Sequence, residues 1–153
     1  MLAIEVSGAA LQFAHAGGVV DVQPAFDPAV LITALDRAGV GYVLVGGLAG
    51  AAHGVVRASA DIDLVPEPSR ENLAALATLG AARPDHGIRT PWGDVHVIHA
   101  IPYADLRERA IALPLGDTEA VSCSRDDFRA MKLALGRPRD LIDVAELDEL
   151  HGA

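Results

Sequence analysis

The stretch from Val43 to Val65, VLVGGLAGAAHGVVRASADIDLV, leaves a chain of this size few folds to choose from. It opens within an apolar run, Tyr42 to Val45, of the kind a buried strand shows. Gly46-Gly47 follow at once. Small residues from Leu48 to His53 then suit a helix, with Gly54 as its stop. Asp61-Ile62-Asp63 lies in a second apolar run that ends at Val65, with Pro66 as punctuation. Side chains i and i+2 share one face of a strand, so Asp61 and Asp63 point the same way while Ile62 and Leu64 point into the core. Two carboxylates on one face repel each other unless a cation sits between them. Hard oxygen donors suit Mg²⁺, which takes one or two carboxylates plus substrate phosphates. The glycine pair allows close backbone approach, and a helix N-terminus there aims N–H groups at an anion. One stretch thus offers a phosphate seat and a metal seat on adjacent strands.

Gly-Gly alone reads as a turn, and Asp-x-Asp alone as a solvated acidic edge. In this order, with a short helix between them, they resemble the signature of the nucleotidyltransferase superfamily that includes DNA polymerase beta and the aminoglycoside nucleotidyltransferases. The fuller pattern GG-L-A-x-x-x-H-G-x-x-R-x-S-x-D-I-D-L is similar to one branch, the small bacterial nucleotidyltransferases of toxin–antitoxin systems of the AbiEii and MenT type. The resemblance spans about residues 28–150. It implies an α/β fold, the minimal nucleotidyltransferase fold, with a small mixed sheet flanked by helices.

At 153 residues the size fits one domain. We divide it into an extension of uncertain order, residues 1–27, and a nucleotidyltransferase domain, residues 28–153. A net charge of −9 argues against non-specific nucleic-acid binding by the whole surface, though a local basic patch is compatible with it. The lone Cys123 cannot form an intramolecular disulfide and reads as a small buried hydrophobe. No run approaches the roughly 18 apolar residues of a membrane helix, and the N-terminus lacks a basic n-region. The expectation is a cytoplasmic protein with no membrane partner.

Within the extension, Leu2–Val6 and Val19–Val22 suggest short strands around Gly17-Gly18, and His15 has no visible partner. Asp27-Pro28 reads as a helix start, followed by an apolar stripe of Val30, Leu31, Ala34, Leu35 and Ala38 that ends at Gly39. Ser69 caps a predicted helix over Arg70 to Leu79, with Leu73, Leu76 and Leu79 inward. His86 to Thr90 and Asp94 to Ile98 read as strands joined by Pro91-Trp92-Gly93. Tyr103 to Ala110 suggests a short helix. Ile111 to Leu115 and Glu119 to Cys123 read as edge strands. Ser124, with Asp127 at the third position as a capping-box variant, opens a helix over Arg125 to Leu135. Gly136 stops it, and Pro138 opens a last helix to about Leu150.

Nucleotidyl transfer that uses a two-metal clamp needs more than two carboxylates. The resemblance places a third acidic residue in a pattern like T-P-x-G-x-V-D-V-L. Here the stretch is Thr90-Pro91-Trp92-Gly93-Asp94-Val95-His96-Val97-Ile98, with His96 at the aligned position. Imidazole is a poor Mg²⁺ ligand but can serve as a general base near neutral pH. Asp94 shares the face of His96 and could replace the missing carboxylate only with a shift of strand or side chain. Arg57 suits either a phosphate or an acidic neighbour. Ser59 suits a turn or backbone cap, and His53 a structural role. Met131 to Asp143 resembles the branch pattern M-K-x-x-x-G-R-P-K-D-x-x-D. That resemblance implies that Lys132 contacts nucleotide phosphates and that Asp143 positions Lys132 or a nearby base.

The implied catalytic set is Asp61, Asp63, His96, Lys132 and Asp143. The metal ligands are Asp61 and Asp63, for Mg²⁺ or Mn²⁺. The nucleotide-binding set is Gly46, Gly47, Arg57 and Lys132. The implied partners are an NTP, a tRNA acceptor and a cognate antitoxin. Arg125, Arg129, Lys132, Arg137 and Arg139 form a candidate RNA-facing patch. A catalytically weakened relative that binds nucleotide or a partner is the competing reading, favoured by His96. Antibiotic modification fits less well, because no additional substrate-binding domain is visible.

Overall fold

The computed structural model describes residues 26–99 and 101–152. The suggested strands at Leu2–Val6 and Val19–Val22, and His15, lie outside the described residues. The described elements are α1 (Pro28–Arg37), β1 (Tyr42–Val45), α2 (Gly46–Ala52), β2 (Asp61–Pro66), α3 (Arg70–Ala77), β3 (Ala81–Ala82) and β4 (Ile88–Thr90). They continue with β5 (Gly93–Val97), α4 (Tyr103–Glu108), β6 (Ile111–Leu115), β7 (Thr118–Ser122), α5 (Arg125–Leu135) and α6 (Pro138–His151). The seven strands form one mixed sheet in the order β3-β4-β5-β2-β1-β7-β6.

Local chemistry explains most element boundaries. Asp27 Oδ1 accepts from Val30 N, and Pro28 occupies the first turn of α1. Ser69 caps α3 by accepting from Asn72 N, and Ser124 caps α5 by accepting from Asp127 N. The Asp127 carboxylate does not return to Ser124; it takes two bonds from Arg109. Gly136 ends α5 in the left-handed conformation.

β2 lies at the centre of the sheet, antiparallel to β1 and parallel to β5. Ile62 and Leu64 on β2 are fully buried, as the two-residue period requires, with Val43, Leu44 and Val95 beside them. Leu31, Ile32 and Leu35 of α1, Leu106 of α4, Phe128 of α5 and Leu147 of α6 complete the core.

Four sequence expectations need correction. Val30 is exposed and Ile32 takes its place in the stripe of α1. Leu73 is exposed, and the buried neighbour on α3 is the polar Asn72. Its amide accepts from Gly41 N and donates to Gly41 O and Glu67 O, so its burial costs little. β7 is not an edge strand, since it pairs with β1 in parallel and with β6 in antiparallel fashion. The two-residue β3 was not expected; it exists by pairing Ala81 and Ala82 with β4. Among the described residues no helix is long and apolar enough to cross a membrane.

Candidate active site

β2 carries Asp61 and Asp63 on one face, and β5 brings His96 to them. The parallel register sets Asp61 beside Asp94 and Asp63 beside His96. His96 Nδ1 lies 3.1 Å from Asp63 Oδ1 and 3.6 Å from Asp61 Oδ2. These three residues can each offer one donor atom within 4.8 Å of the others, a group able to hold a metal ion. Burial, and then the charge of Asp61, push the Asp63 carboxyl above its ordinary range. His96 and Lys132 pull in the opposite direction. The pair is thus poised for a cation, which would relieve both the burial and the repulsion.

Asp94 does not join the group. Arg83 pairs with it closely, and Arg89 Nε lies 3.6 Å from its Oδ1. The substitution of Asp94 for a third acidic ligand is therefore not made here.

The turn between β1 and α2 closes on the same carboxylates. Gly46 has φ +69°, and a Cβ at that position would collide with the Asp63 side chain. Both the left-handed backbone and the close approach call for glycine. Gly47 is more open, with Ser59 Oγ the near neighbour of an added Cβ. Ser59 itself donates to Asp61 O, the turn role expected of it. His53 is buried at the end of α2, where Nε2 donates to Cys123 O and the ring tilts against Phe128. Cys123 is fully buried, and its thiol is pushed up to about 12 by that burial.

Lys132 is delivered by α5, with its ammonium 5.6 Å from the centre of the Phe128 ring. Its Nζ lies 3.1 Å from Asp143 Oδ2 and 3.3 Å from Asp140 Oδ1, both carboxylates of α6. Asp143 also meets Arg57, whose Nε is 3.0 Å from Asp143 Oδ1 without hydrogen-bond alignment. Arg57 pairs closely with Glu146 too. Asp143 therefore joins Lys132 and Arg57, two of the expected nucleotide-binding residues.

Asp140 is the residue the sequence reading missed. It is fully buried and accepts from Arg137 N, Nε and Nη2 and from Lys132 Nζ. Four bonds fill a carboxylate's acceptor sites. Arg137 foremost, then Lys132, hold its ionisation well below the usual carboxylate range. The signal was present in Gly136-Arg137-Pro138-Arg139-Asp140: a proline at the first helical position puts Asp140 at the third, where a carboxylate reaches back to the cap.

The five cations expected to face RNA are not one free patch. Arg129 makes a two-bond pair with Asp148, Arg137 is tied to Asp140, and Lys132 points to the α6 carboxylates. Arg125 and Arg139 are exposed, with no ion pair among the described residues.

No family model matches the sequence, and no curated protein matches it. Solved structures do. A nucleotidyltransferase-like antigenic protein from Paracoccidioides brasiliensis superposes with TM-score 0.58 at 18% identity, over 80% of this chain and 73% of that one. The antibiotic-resistance factor ANT(2″)-Ia gives TM-score 0.57 at 13% identity, over 80% of each chain. The lincosamide antibiotic adenylyltransferase LnuA, bound to lincomycin, gives 0.52 at 14% identity, over 80% of this chain and 95% of that one. With a seven-stranded mixed sheet between its helices and these structural neighbours, the chain has the nucleotidyltransferase fold.

Proposed function

We propose that this protein is a metal-dependent nucleotidyltransferase, a toxin of the AbiEii and MenT type, that transfers NMP from an NTP to a hydroxyl at the 3′ end of a tRNA. The observation that carries the reading is a convergence of remote stretches. The Gly46 turn abuts Asp63, β5 sets His96 beside Asp63, and Lys132 is near enough to act on the Asp63 carboxylate. The fold and the branch-like motifs around these residues support it further.

On this reading Asp61 and Asp63 hold a divalent ion, Mg²⁺ or Mn²⁺. When bound, that ion supplies neutralisation of triphosphate charge. The Gly46-Gly47 turn receives phosphate oxygens through its backbone. Lys132 contacts the phosphates, with Asp140 and Asp143 fixing its ammonium. Arg57 is a second phosphate contact, held in reserve by Asp143 and Glu146. The acceptor hydroxyl attacks the α-phosphorus, its bond to the bridging oxygen breaks, and pyrophosphate leaves. His96 or water takes the hydroxyl proton. General-base loss costs about 10²–10⁴-fold, so an imperfect base leaves measurable turnover. A cognate antitoxin would restrain the enzyme.

A second reading keeps the pocket but not the chemistry: a weakened relative acting as a nucleotide- or partner-binding module. The His96–Asp63 contact at 3.1 Å favours it, because a hydrogen bond there accounts for the geometry without catalysis. Small-molecule adenylylation also gains ground against the sequence reading. The lincomycin-bound neighbour is covered over 95% of its length, so that reading requires no additional domain.

Incubation with each radiolabelled NTP, Mg²⁺ or Mn²⁺ and total tRNA tests the proposal. The expected result is label at the tRNA 3′ end from one or more nucleotides. Label on no RNA under either ion, with NTP binding intact, would favour the binding module.

A further inference from the structure

The donor set at the metal seat departs from what magnesium takes. Two positions are carboxylates, but the third is an imidazole nitrogen, and nitrogen suits first-row transition ions far better than Mg²⁺. Adjacent ligands of an octahedral ion are about 3.0 Å apart when each lies about 2.1 Å from it. The His96 Nδ1 to Asp63 Oδ1 spacing of 3.1 Å meets that value, and the 3.6 Å to Asp61 Oδ2 lies close to it.

A separate feature on the far side of the ring points the same way. His96 Nε2 faces Asp85 Oδ2 at 3.9 Å. Asp85 sits in the loop between β3 and β4 and is not left to drift. Its Oδ1 accepts from Gly87 N at 3.1 Å and from Arg83 Nε at 3.2 Å. His86 beside it adopts φ +65°, which closes the loop. Arg83 also pairs with Asp94 on β5, the strand that carries His96. Proteins orient a ligating histidine and raise its basicity with a carboxylate on the ring nitrogen that does not bind the metal; at 3.9 Å Asp85 stands on that side, one small side-chain shift or one bridging water short of the contact. A metal ion at Nδ1 would replace the 3.1 Å hydrogen bond to Asp63 and leave the ring proton on Nε2, the side of Asp85.

We propose that this site takes a first-row transition ion such as Mn²⁺ in preference to Mg²⁺, with His96 Nδ1 as its third protein ligand and Asp85 as the residue that positions the ring. The proposal rests on the metal seat assigned above and adds the identity of its occupant. His96 then serves the ion rather than the acceptor hydroxyl, and water takes the proton.

Mn²⁺ and Mg²⁺ titrations by calorimetry test it, together with electron paramagnetic resonance of the Mn²⁺-loaded protein read for ¹⁴N coupling. Wild type is expected to bind Mn²⁺ at least about tenfold more tightly than Mg²⁺ and to show nitrogen coupling. His96→Asp should lose the coupling and bring the two affinities within a few-fold. Asp85→Asn should keep the coupling and weaken Mn²⁺ by about tenfold or more. Mn²⁺ that binds wild type without nitrogen coupling, and is lost in the Asp61→Asn, Asp63→Asn double variant, would overturn the ligand assignment and leave the transferase reading standing. Mn²⁺ binding that survives the double variant would overturn both. So would a wild type that binds neither ion, with or without NTP.

Discussion

Asp63 is where the demands on single residues are sharpest. It is partly buried, lies beside a second carboxylate, faces His96 and abuts Gly46. The shared face of Asp61 and Asp63 was legible in the sequence because a strand's two-residue period fixes it. The place of Asp85 was not, since it depends on a loop folded back toward β5 by Arg83 and by the turn at His86. Gly46 offers a clean test. Alanine there must adopt φ +69° at a cost of about 1–2 kcal/mol and drive its methyl into the Asp63 carboxylate. Gly46→Ala is expected to stay folded by circular dichroism yet bind NTP at least about tenfold more weakly by calorimetry. Unchanged affinity would show that the turn does not receive the nucleotide.

At the scale of elements, α5 and α6 were the most readable part of the chain. Their caps are local chemistry: Ser124 at one end of α5, Gly136 at the other, and Pro138 opening α6. What lay beyond local chemistry was missed. β7 reads as an edge because nothing in its sequence announces the parallel partner β1, some eighty residues earlier in the chain. Leu73 reads as core because apolar spacing cannot foresee that Asn72 will lock α3 to Gly41.

The joint between α5 and α6 carries its own prediction. Asp140 is held in its ionised form by Arg137 and Lys132, below the ordinary carboxyl value of 3.8. A group with a depressed folded pKa stabilises the fold fully above its unfolded pKa and loses that contribution as pH falls below it. Asp140→Asn should cost roughly 1.5–3 kcal/mol at pH 7, from the loss of charged hydrogen bonds. The gap to wild type should shrink as pH drops below the ordinary carboxyl value. Urea unfolding at pH 7, 5 and 3 measures it; a gap constant across that range would show that the charge of Asp140 does not stabilise the joint.

At the scale of the molecule, an acidic chain folds a mixed sheet that sets two carboxylates, Asp61 and Asp63, on its central strand. Lys132 is the only lysine in the sequence, and it is held largely buried against Asp140 and Asp143 of α6. The α/β architecture was legible because the Gly-Gly, helix, Asp-x-Asp order is local. The expected free basic face does not form: Arg129 meets Asp148 only when α5 packs on α6, whereas Arg137 pairs locally with Asp140, three residues on. Of the five cations expected to face RNA, Arg125 and Arg139 stay exposed with no ion pair among the described residues. Arg125→Glu with Arg139→Glu should weaken tRNA binding and flatten its salt dependence. Insensitivity to both changes would leave these arginines as solvated surface.

On the proposed reading, Asp61 and Asp63 hold a metal ion that binds NTP phosphates. Calorimetric titration of NTP into wild type and into the Asp61→Asn, Asp63→Asn double variant, each with and without Mg²⁺ or Mn²⁺, tests it most directly. Wild type is expected to bind NTP tightly only when a divalent ion is present, and the double variant to lose this ion-dependent binding altogether. Equal nucleotide affinity in the two proteins, with and without the ion, would contradict it.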